Sequence, residues 1–433
     1  MKRKVMAALS VPLCAAMLLM SSCAGGSTLL RAAAEPEDFS YTERQDEDFI
    51  AVQQGAEDFA ARFASAALYE AASEGTENAV VSPISVYMGL SLAAASSAGE
   101  TKEELLSALG VTEETLGEGI SILWRSLNRE LGKTGKIALS NGIWLDASTP
   151  FVEETLDVLA EDYYCNSYSA DFAGDNDAAN RALSKYIKDE TNGLIDAELA
   201  LSPETVFALV NTLYLKDTWN EYGDDIARTE ERTFTQGSGE EVLRRLLQGD
   251  YGMGRAFEGE NYTSYHTSTL HGFRITFLVP KDGVSLSEVM TAQNIAEVSS
   301  KEDWNATDEE NHIRYYTRCL FPEFEGDYAG DVSPVLKAEF GIEKLFDRKQ
   351  SDLSALTGKT SGVYCTEAQH IAKLKVDRKG IEGAAVFVLP GAGEAGPDEY
   401  EQVYEDFLVD RAFGFVLTDS YNTTLFAGVI HEV

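Results

Sequence analysis

A chain of 433 residues with 35 Lys and Arg against 72 Asp and Glu carries a formal charge of −37, while 44% of its residues are hydrophobic. That apolar share builds a globular core rather than a disordered chain, and the acidity excludes docking on phosphate backbones or anionic lipid headgroups through a basic patch. Partners are expected to be neutral or basic, nucleic acid is not among them, and five cysteines are too few for a disulfide-built scaffold.

Lys2, Arg3 and Lys4 precede an uncharged run from Val5 to Met20, which leads into Ser21-Ser22-Cys23. A basic start, a short apolar stretch and small residues before a cut describe a secretory signal peptide over 1–22. The small-small-Cys ending resembles the bacterial lipobox, so Cys23 is expected to carry lipid; an incidental cysteine in a plainly secreted chain is the alternative. From Ala24 to about Glu47 the chain is Ala, Gly, Ser and acid without apolar periodicity, and a flexible membrane tether is expected over 23–47. The remaining Cys165, Cys319 and Cys365 cannot all pair internally, so buried free thiols are expected. His266, His271, His312, His370 and His431 show no metal-ligand spacing and no CxxC occurs, so neither a metal nor a cofactor is expected.

Beyond about residue 48 no linker, repeat or low-complexity block interrupts the chain, and one domain over 48–433 is the simplest division. Phe59, Phe63, Ala66, Ala67 and Tyr69 recur at helical spacing and predict a helix over 58–72. Asn78 to Val86 holds a β-prone run stopped by Pro83, and an Ala-rich helix follows to about Ala98. Ile137 to Leu145 reads as a strand, and Asn180 to Glu190 as a helix ended by Asn192-Gly193. Val206 to Leu215 is apolar on both sides, as suits a central strand buried on both faces. Further strands are predicted over 273–280, 314–324, 370–376, 413–418 and 424–430. Helices first and strands later predict an α+β fold around a large sheet.

The chain has no GxSxG elbow, no HExxH, no phosphate-cradling glycine loop and no Gly-x-Gly-x-x-Gly between strand and helix. Paired carboxylates could hide among 72 acids, but no constellation points to an enzyme. The unusual stretch runs from Asp377 to Tyr400. Ile381 to Leu389 has strand character, and the rest is Gly, Ala, Pro and acid, which means exposed loop. Alternation sets Ile381, Gly383, Ala385, Phe387 and Leu389 on one face and Glu382, Ala384, Val386 and Val388 on the other, so either face could be buried at little cost except at Glu382. Taken alone, this is an ordinary core strand leading into a surface loop.

Several dispersed segments, in order, resemble the serpin family. They are Asn78 with Val81-Ser82-Pro83-Ile84-Ser85, Ala98-Gly99-Glu100-Thr101 with Leu109-Gly110, Asn141 with Trp144-Leu145, and Glu190-Thr191-Asn192-Gly193-Leu194-Ile195. Asn211 with Tyr214, Lys216 and Trp219, and Phe407 to Phe413 with Leu425-Phe426-Ala427-Gly428-Val429, complete the set over about residues 48–433; Ala412 stands where Pro is usual. The resemblance implies a three-sheet, roughly nine-helix fold with an exposed reactive loop after Gly380. It also implies an inhibitor rather than an enzyme. A serine protease attacks the loop as bait, an acyl-enzyme forms, and the cleaved loop enters the central sheet as a new strand, trapping the protease covalently. The inhibitor is expected to be a monomer, held at the cell surface by lipid on Cys23.

Gly380-Ile381-Glu382-Gly383-Ala384-Ala385 matches the family hinge, with Ile381 in place of Thr and Gly383 in place of Ala. Neither change brings a charge or a proline, so insertion is expected to be allowed. Phe387, bulky at an inward position, and Pro390, which cannot donate to a ladder, speak for the alternative of a non-inhibitory binding module. The family's interval from Gly380 sets the reactive bond at Glu394–Ala395, with Ala392 and Gly393 as neighbouring alternatives; counting back from Phe413 reaches Glu401 instead. No Lys or Arg lies between Lys379 and Arg411, so elastase-like, subtilisin-like or glutamyl-specific proteases are the expected targets. The resemblance further implies an Arg378–Glu323 ion pair latching the sheet top beside Trp219, and a buried mid-sheet His370 with Asn211, Ser82 and Ser85 as hydrogen-bond partners.

Overall fold

The computed structural model describes residues 26–74, 77–132, 135–219, 225–302, 304–360, 362–382 and 400–433. Local signals set its helical first third. Asp46 caps α1 (Glu47–Ala67), accepting from the amides of Asp48 and Phe49, and Phe49, Val52, Ala56, Phe59 and Phe63 turn one apolar stripe into the core. The helix predicted over 58–72 is the second half of α1 followed, after Leu68, by α2 (Tyr69–Glu74). Pro83 opens α3 (Pro83–Ser96), which is apolar almost all round and is accordingly buried. Then come α4 (Gly99–Leu109), α5 (Glu113–Ser126), α6 (Glu153–Glu161) and α7 (Asn176–Glu190), the last stopped by Asn192 and Gly193 at positive φ. With α8 (Leu286–Val289), α9 (Ala292–Ser299), α10 (Ser333–Phe340) and α11 (Ser354–Thr357) there are eleven α-helices among the described residues, against about nine expected.

The strands form two ladders. The longer starts with β1 (Ser27–Arg31), β5 (Cys165–Ala170), β4 (Gly135–Asp146), β6 (Phe207–Thr218), β16 (Gly380–Glu382), β15 (Gln369–Val376) and β14 (Phe324–Asp331), and a short β3 (Arg129–Leu131) pairs with β4. It continues through β2 (Ala79–Val81), β19 (Thr424–Ile430), β18 (Phe413–Thr418), β11 (Arg274–Pro280), β10 (Tyr262–Ser268) and β9 (Phe257–Glu258). Because β14 and β2 share a single registered pair, Asp327 with Ala79, this ladder is two sheets joined at a seam. The other ladder is β12 (Thr307–Asp308), β13 (Ile313–Phe321), β8 (Glu241–Met253) and β7 (Arg228–Thr235), with β17 (Glu401–Leu408) parallel to β13. The fold is thus the expected α+β arrangement on three sheets. The strand predicted over 314–324 is really the end of β13 and the start of β14, broken at Pro322. Cys165, Cys319 and Cys365 are free thiols, the first two buried and the third half-buried.

At the N-terminus the expected flexible tether gives way to structure. β1 pairs antiparallel with β5, Ser27 opposite Ala170, and Arg31 forms ion pairs with Glu153 and Asp157 of α6. Farther on, Phe39 packs on Phe49 and Tyr421, and Glu43 meets the buried Arg125 at 2.6 Å. Composition hid this strand because an edge strand is held by backbone hydrogen bonds, and the exposed Leu29 and Leu30 leave no buried face to read. Residues 1–25, Cys23 among them, lie outside the described residues.

Candidate functional site

The central sheet is divided. β4 and β6 pair antiparallel from Lys136 opposite Lys216 to Leu145 opposite Phe207, and β14 pairs with β15 along its whole length. Between β6 and β15 only β16 intervenes, antiparallel to both: Ile381 lies opposite Asp217 and Val376, and Glu382 opposite Lys216 and Lys375. Beyond Glu382 no described strand joins β6 to β15, and a cavity of about 440 Å³ lies there. Leu209, Asn211, His370 and Ala372 line it from the two strands, and Gly89 and Leu90 from α3. The first half of β6, Phe207 to Asn211, is therefore half-buried rather than covered on both faces. Two facing strand edges, held one strand apart by β16, form an acceptor for more strand.

β16 is the start of the expected hinge. Ile381 is 1% exposed and packs into the core. Gly380 has no room for a side chain, since a Cβ there would come within 1.8 Å of the Asp217 carbonyl oxygen. The Glu382 carboxylate accepts from the Tyr214 hydroxyl at 3.1 Å, and Asn192 in turn donates to that hydroxyl at 3.2 Å. Gly383, Ala384, Ala385, Phe387, Pro390 and the Glu394–Ala395 bond lie outside the described residues.

The sheet top is fastened differently from the expected latch. Arg378 and Glu323 make no side-chain pair: the Glu323 carboxylate accepts the Arg378 backbone amide at 3.2 Å and pairs with Arg228, while the Arg378 guanidinium pairs with Asp225 at 2.8 Å. The main chain of the β15–β16 turn occupies the carboxylate that the guanidinium was expected to reach. Trp219 does sit beside this turn, its indole donating to the Asp377 carbonyl at 2.7 Å. Sequence reasoning missed Asp217, whose buried carboxylate accepts the His271 amide at 3.1 Å and contacts its Nδ1 at 2.7 Å. An acid inside a strand of the central sheet was the available signal. A double-mutant cycle on Arg378 and Glu323 is expected to give a side-chain coupling within about 0.3 kcal/mol of zero, against about 0.5–1 kcal/mol for the half-exposed Arg228–Glu323 pair. Coupling of about 1 kcal/mol in the first cycle would restore the latch.

At mid-sheet, buried His370 accepts the Ser82 amide on Nε2 at 3.0 Å, the Ser82 and Ser85 hydroxyls lie 3.0 Å apart, and the Ser82 hydroxyl donates to the Leu425 carbonyl at 2.9 Å. Asn211 is not a partner of His370. Its amide donates to the Asn141 side chain at 2.8 Å, and its Oδ1 is buried without a hydrogen-bond partner, because the cavity separates β6 from β15. An imidazole that accepts on Nε2 is neutral, and burial pushes the His370 pKa down to about 4. The unfolded chain takes up this proton below its ordinary value near 6.5, so the contribution is full above that pH and is lost as pH falls from about 6.5 towards 4. Urea unfolding should register a loss of about 3 kcal/mol from this residue over that window. His370→Gln should be less stable at neutral pH yet fall less steeply with acid, and an unchanged slope would refute the assignment.

Comparisons with known proteins agree with this geometry. A family model described as Serpin (serine protease inhibitor) matches residues 55–433. Alpha-1-antiproteinase of Callosciurus caniceps is 25% identical over 372 residues, 82% of this chain and 83% of that protein. The probable non-inhibitory serpin-Z9 of Oryza sativa subsp. japonica is 26% identical over 377 residues, 82% of each. Among solved structures, the thermophilic serpin tengpin in its native state gives a TM-score of 0.71 at 20% identity, covering 94% of this chain and 100% of that one. Matched over most of its length, and folded around a divided sheet with a glycine-led hinge at the head of the gap, the chain belongs to the serpin family.

Proposed function

We propose that this serpin is a suicide-substrate inhibitor of serine proteases with no catalysis of its own. The gap between β6 and β15, with the hinge seated at its head, supports this reading above all. Extending the register of Gly380–Glu382 brings Gly383 opposite Leu215 and Leu374, Ala385 opposite Leu213 and Ala372, and Phe387 opposite Asn211 and His370. A strand following the hinge would find two hydrogen-bonding edges and a core-facing cavity, and Gly383, Ala385, Phe387 and Leu389 bring no charge inward. Attack at Glu394–Ala395 joins the Glu394 carbonyl carbon to the protease's serine oxygen and releases the Ala395 amine. Insertion of the freed segment before water cleaves that ester keeps the protease as a covalent complex. The other count, to Glu401, meets a residue already paired opposite Ile313, its amide donating to the His312 carbonyl at 2.8 Å.

With no Lys or Arg from Gly380 to Asp410, the targets cleave after small or acidic residues. The chain from residue 26 is to be incubated with pancreatic elastase, subtilisin and a glutamyl endopeptidase, followed by denaturing electrophoresis and intact mass. A complex that survives denaturation, with a released fragment starting at Ala395, is expected from at least one of them. Cleavage by all three without complex sinks the trapping mechanism, and efficient trapping of trypsin sinks the specificity.

A second reading, a non-inhibitory binding module at the cell surface, is favoured by the bulk of Phe387 and by the likeness to serpin-Z9. In either case the signal-like residues 1–22 and the lipobox-like Cys23 argue for export and a lipid anchor of the bacterial type. No helix among the described residues is long and apolar enough to cross a membrane. Only residues 24–26 separate Cys23 from β1, so a monomer anchored this way stands with its sheet edge close to the bilayer. Cys23→Ala should release the protein from membranes into the medium; retention would remove the anchor.

A further inference from the structure

β17, which follows the loop, belongs to a surface of its own. It pairs with β13, and β13 with β8, so that Tyr404, Tyr316 and Met253 form one cross-strand row and Asp406, Arg318 and Tyr251 the next. This face looks outward: Tyr404 is 57% exposed, Met253 59% and Tyr251 43%. The Tyr316 and Tyr404 rings stack with centroids 5.2 Å apart, and Tyr251 meets Tyr404 edge-on at 5.2 Å. Both Asp406 oxygens, at 3.0 Å, neutralise Arg318, and the exposed Asp250, Glu309 and Glu401 carry acid on the neighbouring surface. Tyrosines fixed against one another in the open, with acids nearby, have the make-up of an interface centre rather than of ordinary surface.

Chain length names the occupant. Residues 396–400 alone separate Ala395 from the start of β17, and five residues span at most about 18 Å. A protease domain of about 220 residues has a radius of gyration of about 17 Å, so a protease held that close overhangs the beginning of β17. Charge points the same way, because a chain of −37 with an acidic surface around the tyrosines draws in a basic surface. We infer that the outward face of β8, β13 and β17 is a second contact surface for the protease engaged by the loop. Basic side chains of that protease, arginine above all, stack on Tyr251 and Tyr404 and pair with the surrounding acids. This rests on the bait reading of the loop.

The test compares the wild-type chain from residue 26 with a Tyr251→Ala, Tyr404→Ala pair and a Tyr251→Phe, Tyr404→Phe pair. The probe is whichever of pancreatic elastase, subtilisin and glutamyl endopeptidase forms the covalent complex. Two quantities are read: the second-order rate constant of complex formation, and the dissociation constant of the same protease with its active-site serine replaced by alanine. The alanine pair is expected to lower both the rate and the affinity about tenfold or more, with the phenylalanine pair retaining most of each and the fraction of encounters that end in complex unchanged. Higher salt should narrow the gap. An alanine pair that melts like wild type and matches it in rate and affinity overturns the inference and leaves the bait reading standing. So does a slower rate with unchanged affinity for the inert protease, which assigns the loss to the loop. No complex with the wild-type chain overturns the bait reading itself.

Discussion

An Ile381→Arg chain is expected to be cut by its target protease without holding it, the yield of covalent complex falling about a hundredfold relative to the cleaved product. Ile381 is the first inward side chain of the hinge, 1% exposed, with its backbone registered against Asp217 on one side and Val376 on the other. No carboxylate can follow a guanidinium into that position, because the nearest buried acid, Asp217, is already engaged by His271. An uncompensated buried charge costs several kcal/mol. Each ~1.4 kcal/mol added to the barrier slows insertion tenfold against the competing hydrolysis of the acyl-enzyme. Ile381→Val, which keeps an apolar β-branched side chain, should trap as the wild type does. Electrophoresis after equimolar incubation reads both variants, and an undiminished complex with Ile381→Arg would mean that the hinge does not enter the sheet during trapping.

How much of this could be read in advance depends on whether a residue's neighbours are dictated by period or by distance. A strand alternates by necessity, so Ile381 inward and Glu382 outward follow from spacing alone. Asn192-Gly193 likewise announces the end of α7, because few residues tolerate positive φ. The Arg378 guanidinium is a different case. Asp225 and Glu323 are both within its reach, Arg228 competes for Glu323, and only the path of the β15–β16 turn decides among them. Asn211 finds Asn141 rather than His370 for a similar reason: adjacency in the sheet is broken by a gap that no local pattern records. β17 was missed because Phe407 is its single fully buried side chain, while Tyr404 and Asp406 lie in the open, so its alternation carries no apolar face. β1 escaped for the same cause.

Cleavage of the loop should raise the thermal transition by roughly 10 °C, and Phe387 should be responsible for much of the rise. Continued in register, the inserted strand brings Phe387 to the level of Asn211 and His370, over a cavity of about 440 Å³. Gly89 of α3, on the lining of that cavity, has nothing within 4 Å of where a Cβ would stand, so space for a ring exists beneath the sheet. Burying Phe387 and Leu389 contributes about 1.5–3 kcal/mol each, and 1 kcal/mol moves the transition of a large domain by about 2 °C. Backbone hydrogen bonds to both strand edges add to this. Phe387→Ala should leave the intact chain's transition unchanged and lower that of the cleaved chain by several degrees, since a buried Phe→Ala change costs about 3–5 kcal/mol. The opposite result is equally informative. If Phe387→Ala raises the yield of covalent complex and stabilises the cleaved form, the ring obstructs the mid-sheet, insertion in the wild type stalls there, and the binding-module reading gains what the inhibitor reading loses.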